Sequence, residues 1–276
     1  MNGIKFAGRL GNQLFQYAFG QSLAKKLDTK VFYIFQNTGL NKTIINQYFK
    51  LKDFNILKNK LYEFWYVIAY KKKVQDFSNI LILSDIEPKV NSIISGFFQS
   101  EYFFRNVIDE VKLKFEIKNK YKRKFEKKYS NFFKNNKTIV IHIRLGDYKV
   151  QGNELLGGID LSLPFEYYHN ILNMIPNIEN YSLLFLSDEI EKIKNEFNIY
   201  INANFEENDL IIDFQIIQNA DISIISNSTF AWWAAYLSNN KSTIVYAPKY
   251  WLGFKVKKEY PTGIMLTNWN WIDVDL

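Results

Sequence analysis

The chain reads as an α/β protein built on parallel sheet, and three observations point there. Short apolar runs rich in β-branched and aliphatic residues recur at 138–141, 181–186, 222–225 and 243–247. The stretches between them carry helical periodicity. Strands separated by helices of about ten to fifteen residues indicate a parallel sheet with helices outside it. Polar residues also collect just past the strand ends, where open α/β sheets bind ligands.

Composition sets the outer limits. At 276 residues the chain can bury a sizeable core and stands near the length where chains divide, so one or two domains fit. With 47% hydrophobic and 17% aromatic residues it is globular rather than disordered. It has no cysteine and 2 histidines, which excludes disulfides, thiolate metal sites and a histidine-rich zinc site. Magnesium held by carboxylates and phosphates stays open. No signal-like segment and no apolar run of about 18 residues is visible, so a cytoplasmic protein is expected. The net charge of +7 is uneven, with eleven Lys/Arg and two glutamates between Lys112 and Lys137. Such a run attracts polyanions or an anionic membrane surface, and equally describes a solvated helix. No nucleic-acid motif accompanies it, so peripheral inner-membrane contact through 112–137 is preferred and nucleic-acid binding is not expected.

Residues 4–27 read as a short strand, a glycine-marked turn and a helix. Leu14, Phe15, Ala18, Phe19 and Leu23 repeat at helical spacing after Gly8-Arg9-Leu10-Gly11-Asn12. Gly8 and Gly11 permit close approach of a ligand to backbone, and the helix start suits an anion; a plain tight turn explains the pair as well. Asn12, Gln13 and Gln16 add side chains able to read a sugar or phosphate. Val31–Phe35 is the next strand, 36–50 a loop with a small helix, and 51–74 a helix. Ile80–Leu83 is an apolar run without assignment. From Ile93 a strand enters an aromatic loop whose Gln99, Ser100 and Glu101 suggest a lining segment. Residues 103–133 are expected to be mostly helical and to close the first half. After the strand at 138, the glycine-bearing stretch 149–162 carries Glu154 and Asp160 and suits a lid or acceptor-facing loop. Pro164 opens a helix to Met174. Helices follow to Asn198, over 208–220 and over 230–237, and 249–276 reads as a tryptophan-bearing packing segment.

The strand ends carry the candidate chemistry. Alternation puts His142 and Arg144 on one face and Ile141 and Ile143 on the other, with Asp147 just beyond. Ser187 and Asp188 follow the second strand, and Asn227, Ser228 and Thr229 the third. Ser228 and Thr229 stand where a helix begins, a seat for phosphate that simple capping also explains. Arg144 suits a diphosphate, bidentately, and the charge it develops on leaving. Asp188 can accept from an N–H pair such as a guanine edge presents, and His142 can bond a base or ribose. No phosphate-loop lysine motif GxxxxGK[ST] occurs.

Four blocks carry a resemblance. GRLGNQLFQYAFG at Gly8–Gly20 is similar to GGLGNQxFQYA, and GFFQSEYFF at Gly96–Phe104 to GYFQSExYF. HIRLGDY at His142–Tyr148 resembles HxRRGDY, and SNSTFAWWAAYL at Ser226–Leu237 resembles SNSxFSWWxAxL. In order and nearly end to end, they resemble the bacterial glycosyltransferases of family 11, galactoside α-1,2-fucosyltransferases. The resemblance implies a GT-B fold, two Rossmann-like domains facing a cleft, with an acceptor-side domain at 1–136 and a GDP-sugar-binding domain at 137–276. It implies inverting transfer of L-fucose from GDP-β-L-fucose to the 2-hydroxyl of a terminal β-galactoside in a surface glycan precursor, without an essential metal or cofactor. A lipid-linked acceptor, of lipopolysaccharide or capsule type, matches a basic surface. By position, Arg144 would hold the β-phosphate, His142 would lie near guanine or ribose, and Asp188, in a looser match, would read guanine. Gly11 and Asn12 would face the sugar nucleotide from the other domain. Two departures stand out: Leu145 replaces a second arginine and points toward packing, and Arg9 replaces a glycine.

Inverting transfer needs a general base at the acceptor hydroxyl. Asp147 and Glu154 are both candidates, with His142 and Asp160 behind them, while Arg144, Ser228 and Thr229 would stabilise the leaving diphosphate. Competing readings are a GT-B transferase with another nucleotide sugar or linkage, and a non-catalytic carbohydrate-binding protein, against which Arg144, Asp147 and Asn12 speak. A nucleic-acid module rests on the lysine-rich segment alone.

Overall fold

The computed structural model describes residues 1–51, 54–70, 73–77 and 87–275. They form two compact units, Met1–Lys118 with Thr262–Ile264, and Asn119–Pro261 with Met265–Leu276. Each is organised on one sheet whose strands all run parallel.

The first unit runs β1 (Asn2–Lys5), α1 (Leu10–Lys26), β2 (Val31–Ile34), α2 (Ile45–Tyr48), α3 (Ile56–Tyr70), β3 (Val74–Asp76), β4 (Ile93–Ser95) and α4 (Ile108–Lys114). Its sheet order is β2-β1-β4-β3. Helix α1 is buried almost all round from Leu10 to Leu23, as a helix with apolar residues on every side must be. Tyr17 on α1 stacks on Tyr33 of β2 with centroids 5.1 Å apart, and Phe6 covers the same ring at 5.3 Å. Lys25 and Lys26 close the helix where its dipole favours cations. The helix expected over 51–74 is shorter, and a strand follows it at Val74–Asp76. Ile80–Leu83 lies outside the described residues.

Residues 103–133 are mostly helical as expected, with a break between α4 and the helix that follows. Between α4 and the next one Phe115 and Ile117 are buried while Glu116 is exposed, the period of extended chain. Phe49 and Ile117 form an antiparallel bridge there, and Lys118 N–H donates to the Tyr48 carbonyl at 2.8 Å. Local helix propensity yields to the burial of two large side chains.

The second unit begins with α5 (Asn119–Asn135), which packs on α8 of the same unit. There follow β5 (Lys137–Ile143), α6 (Phe165–Met174), β6 (Tyr181–Ser187), α7 (Ile190–Phe197), β7 (Ala203–Glu206), α8 (Leu210–Gln218), β8 (Ile222–Ile225), α9 (Thr229–Tyr236), β9 (Ile244–Pro248) and β10 (Asn270–Ile272). The order is β10-β9-β8-β5-β6-β7. Residues 139–143 and 183–186 are buried without alternation, because helices cover both faces of a central parallel strand. Trp232 and Trp233 fix α9 against this core at 0% exposure, each burial contributing about 3 kcal/mol. Within the basic segment, Lys124 pairs with Asp209 and Lys128 with Glu206 at 3.0 Å. Both lysines are more than half exposed, so these pairs orient α5 more than they stabilise it.

Candidate functional site

Parallel register brings the strand ends together. Ile143 stands opposite Ser187, and His142 opposite Ile225. Arg144 emerges from β5 between two carboxylates. Its Nη2 meets Asp147 Oδ1 at 2.5 Å and its Nη1 meets Asp188 Oδ2 at 3.2 Å. The Arg144 side chain is 16% exposed, so the carboxylates hold a largely dehydrated guanidinium in one orientation. Asp188 Oδ1 also accepts from Leu145 N–H at 3.0 Å, and Asp147 Oδ2 from Gln151 Nε2 at 2.5 Å. The ring of Tyr148 lies 5.8 Å from the guanidinium carbon. Leu145 itself is buried with Ile143 and Tyr168, the inward direction that alternation required.

Gly146 is what lets this cluster close. A Cβ built there would stand 2.3 Å from Asp188 Oδ2. The sequence placed Asp188 at the same edge as Arg144, but not in contact with it. The contact needs the β5–β6 register together with the glycine.

His142 is the dry member. It is 7% exposed, its Nδ1 lies 3.0 Å from Ser226 Oγ, and Phe230 packs beside the ring. Burial pushes its pKa down to about 4, although Asp188 pulls the other way. The imidazole is therefore neutral near pH 7, a hydrogen-bonding group and a weak base. Ser226 was not singled out in the sequence; its signal was its place beside Asn227 at the end of β8.

Helix α9 starts at Thr229 with Ser228 as cap residue, and the Ser228 side chain makes no capping bond. That leaves its hydroxyl available, and a helix start presents backbone N–H groups without helical acceptors. Tyr148 ties this end to β5: its hydroxyl donates to the Asn227 carbonyl at 2.9 Å, while Asn227 Nδ2 donates to the Leu161 carbonyl at 2.9 Å.

The loop 149–162 is strapped to itself. Gly152 N–H donates to the Ile159 carbonyl at 2.6 Å, and Leu161 N–H to that of Tyr148 at 2.8 Å. Glu154 stands exposed on a short turn over Glu154–Leu156. Asp160 is a turn residue: burial pushes its carboxyl up, yet bonds from Ser162 N–H and Oγ, at 2.8 and 2.5 Å, bring it below its ordinary value. That makes it a poor base.

In the first unit the turn before α1 is read differently from its sequence. Gln13 and Gln16, expected to face a ligand, are fully buried and structural. Gln13 donates to the carbonyls of Gly8 and Lys42 at 3.0 and 2.8 Å and accepts from Ile44 and Ile45 N–H. Gln16 bridges Ala7 N–H and the Gly96 carbonyl. Buried amides spend their capacity on backbone that would otherwise be unpaired. Gly11 is buried in the first turn of α1. Asn12 stays partly exposed and accepts from Gln99 Nε2 at 2.7 Å, which joins the two sequence blocks that carry them. Gly8 is required beside it, with φ +72° and a built Cβ 2.2 Å from Asn12 Nδ2.

Among the described residues no group of three or more histidine or acidic side chains could hold a metal ion, and no helix is long and apolar enough to cross a membrane. A cavity of about 550 Å³ in the first unit, lined by Phe49, Phe54 and Lys118 among others, contains none of the expected site residues.

Known proteins match this frame. An alpha-1,2-colitosyltransferase of Escherichia coli is 28% identical over 279 residues, covering 90% of this chain and 91% of its own. The fucosyltransferase NodZ from Bradyrhizobium superposes with a TM-score of 0.54 at 10% identity, covering 86% of this chain and 92% of that one. POFUT1 in complex with GDP gives 0.54 at 14% identity, covering 89% and 97%. These likenesses establish the two-sheet α/β architecture as a GT-B fold with two Rossmann-like domains. The profile of glycosyl transferase family 11 matches residues 1–273, and the chain belongs to that family.

Proposed function

We propose that this protein transfers L-fucose from GDP-β-L-fucose, with inversion, to the 2-hydroxyl of a terminal β-galactoside in a surface glycan precursor. The observation that carries the reading is Arg144, held at the carboxyl end of β5 by Asp147 and Asp188. In the reaction the acceptor oxygen attacks the anomeric carbon while the bond to the β-phosphate oxygen breaks, and the electron pair leaves with GDP. Arg144 has five N–H donors, of which the carboxylates engage two, so a phosphate oxygen can be met without breaking the pairs. Ser228 Oγ and the start of α9 take the remaining charge. Asp188 keeps acceptor capacity for a guanine N–H pair, and neutral His142 offers a bond to base or ribose. The second unit binds the donor in this reading, and the first, with Gly11 and Asn12, serves the acceptor and sugar. No metal is needed where an arginine and a helix start neutralise the leaving group.

The proton goes to Glu154 rather than Asp147. Both oxygens of Asp147 are engaged, by Arg144 and Gln151, which suits a group that orients the guanidinium. Glu154 has its carboxylate in solvent on the loop. Glu154→Gln should lower kcat with little change in GDP binding, whereas Asp147→Asn should weaken GDP binding as well. Equal binding and turnover for both variants and wild type would remove both assignments.

One relative supports a second donor. Colitose is the 3-deoxy counterpart of fucose, and the Escherichia coli relative is an alpha-1,2-colitosyltransferase. Parallel turnover assays with GDP-fucose and GDP-colitose on a β-galactoside, with the new linkage read by NMR, separate the two. Preference for GDP-fucose and an α-1,2 product support the main reading; preference for GDP-colitose replaces the sugar and keeps the site.

A further inference from the structure

Helix α3 turns a narrow side inward and leaves a broad one outward. Inward, Tyr66 packs with Phe32 and Ile93, Asn59 Oδ1 accepts from Tyr33 N–H at 2.6 Å, and Tyr66 Oη donates to the Lys73 and Asn91 carbonyls at 3.1 and 2.9 Å. Its outward side is apolar. Leu57, Leu61, Phe64, Trp65 and Ile68 are 54% to 80% exposed. At about 100° per residue, Leu57, Leu61, Phe64 and Ile68 fall within an arc of about 60°, opposite Asn59 and Tyr66. Trp65 borders that arc. Lys60 flanks it on one side and Lys58 on the other, both exposed, and exposed Lys73 follows the helix end. Single exposed leucines are ordinary, but a continuous stripe along a helix about 22 Å long is not.

We propose that this face of α3 docks on an anionic lipid bilayer, lying in its surface. Leucine, isoleucine, phenylalanine and tryptophan on one face with lysines along its edges is the composition of an interfacial helix, whose rings and aliphatic chains enter the headgroup boundary. The lysine stems can lie along the apolar surface while their ammonium groups reach lipid phosphates. Charge selects the occupant. A second copy paired by two-fold symmetry would set these lysine edges against the same edges, whereas an anionic headgroup layer complements them. The surface differs from the basic segment 112–137, where Lys124 and Lys128 already have carboxylate partners, and the inference does not depend on the donor assigned above.

The test is co-sedimentation of the full-length protein with vesicles of phosphatidylcholine alone or with about 30% phosphatidylglycerol. Wild type should bind the anionic vesicles. Leu61→Ser/Phe64→Ser/Ile68→Ser should lose about tenfold or more in partitioning. Lys58→Glu/Lys60→Glu should lose at least about 25-fold, and only on anionic vesicles. These positions face solvent, so far-ultraviolet circular dichroism should match wild type in both variants. Absence of wild-type binding, or undiminished binding by the apolar variant, overturns the proposal. So does a lipid-free dimer in sedimentation velocity that the apolar variant abolishes, which gives the face to a second copy.

Discussion

Lowering the pH tests whether the imidazole at the centre of the site is as dry as its surroundings require. His142 has a pKa of about 4 in the folded chain against an ordinary value of 6.5, burial being the main cause. With the folded pKa depressed, the unfolded chain binds a proton that the folded chain refuses. Its neutral form thus contributes stability that is fully present above pH 6.5 and is lost as pH falls toward 4. At 1.36 kcal/mol per pKa unit the loss between about pH 7 and pH 4.5 is about 2.4 kcal/mol, most of the full shift. The clean perturbation is His142→Asn, which keeps a polar group near Ser226 and removes the titration. Urea unfolding of both proteins across that range, followed by tryptophan fluorescence, reads mainly the second unit, where all tryptophans except Trp65 lie. The variant is less stable at pH 7, and its deficit should shrink by about 2.4 kcal/mol at pH 4.5. A deficit that stays constant with pH would mean that His142 titrates normally and that water reaches the end of β5.

Two other perturbations follow from the same geometry. Asp213, at the start of α8, is pushed up to about 7, chiefly by burial and despite the bond from Asn208. A raised carboxyl holds its proton in the folded state, so stability is present below its ordinary value of 3.8 and is lost as pH rises toward 7. Asp213→Asn should therefore exceed wild type by about 3 kcal/mol at pH 8, allowing for the favourable field at a helix start, and match it near pH 4; urea midpoints at the two pH values decide. Gly146→Ala should force Asp188 to rotate away from Arg144 and Leu145, costing about 2 kcal/mol of unfolding free energy and weakening GDP binding in calorimetry. No change in either would show that the Asp188 contact is not what holds Arg144.

The readable parts of the chain were those where local pattern and burial agree. The runs at β5, β6 and β8 are apolar over their length because both faces are covered, so they stood out. Alternation was enough to send Leu145 inward and to put Arg144 at the edge. The edge strands Ala203–Glu206 and Asn270–Ile272 were missed, being short and only partly buried, with no period to detect. Gln13 and Gln16 were misread because a glutamine's sequence neighbours do not tell whether its amide meets ligand or backbone. The break after Lys114 needed the partner Phe49 to be known. In the site, the ingredients were legible at 142–147, 188 and 228–229. The pairing of Arg144 with Asp188 was not, since it depends on strand register and on space left at Gly146.

The most direct test of the central claim is calorimetric binding of GDP, UDP and GDP-fucose, without added metal, to wild type and to Arg144→Ala. Micromolar binding selective for the guanine nucleotides, weakened at least about tenfold in the variant as loss of a charge-assisted contact requires, is the predicted result. UDP binding as tightly as GDP, or Arg144→Ala binding GDP like wild type, would contradict a GDP-sugar site at the end of β5.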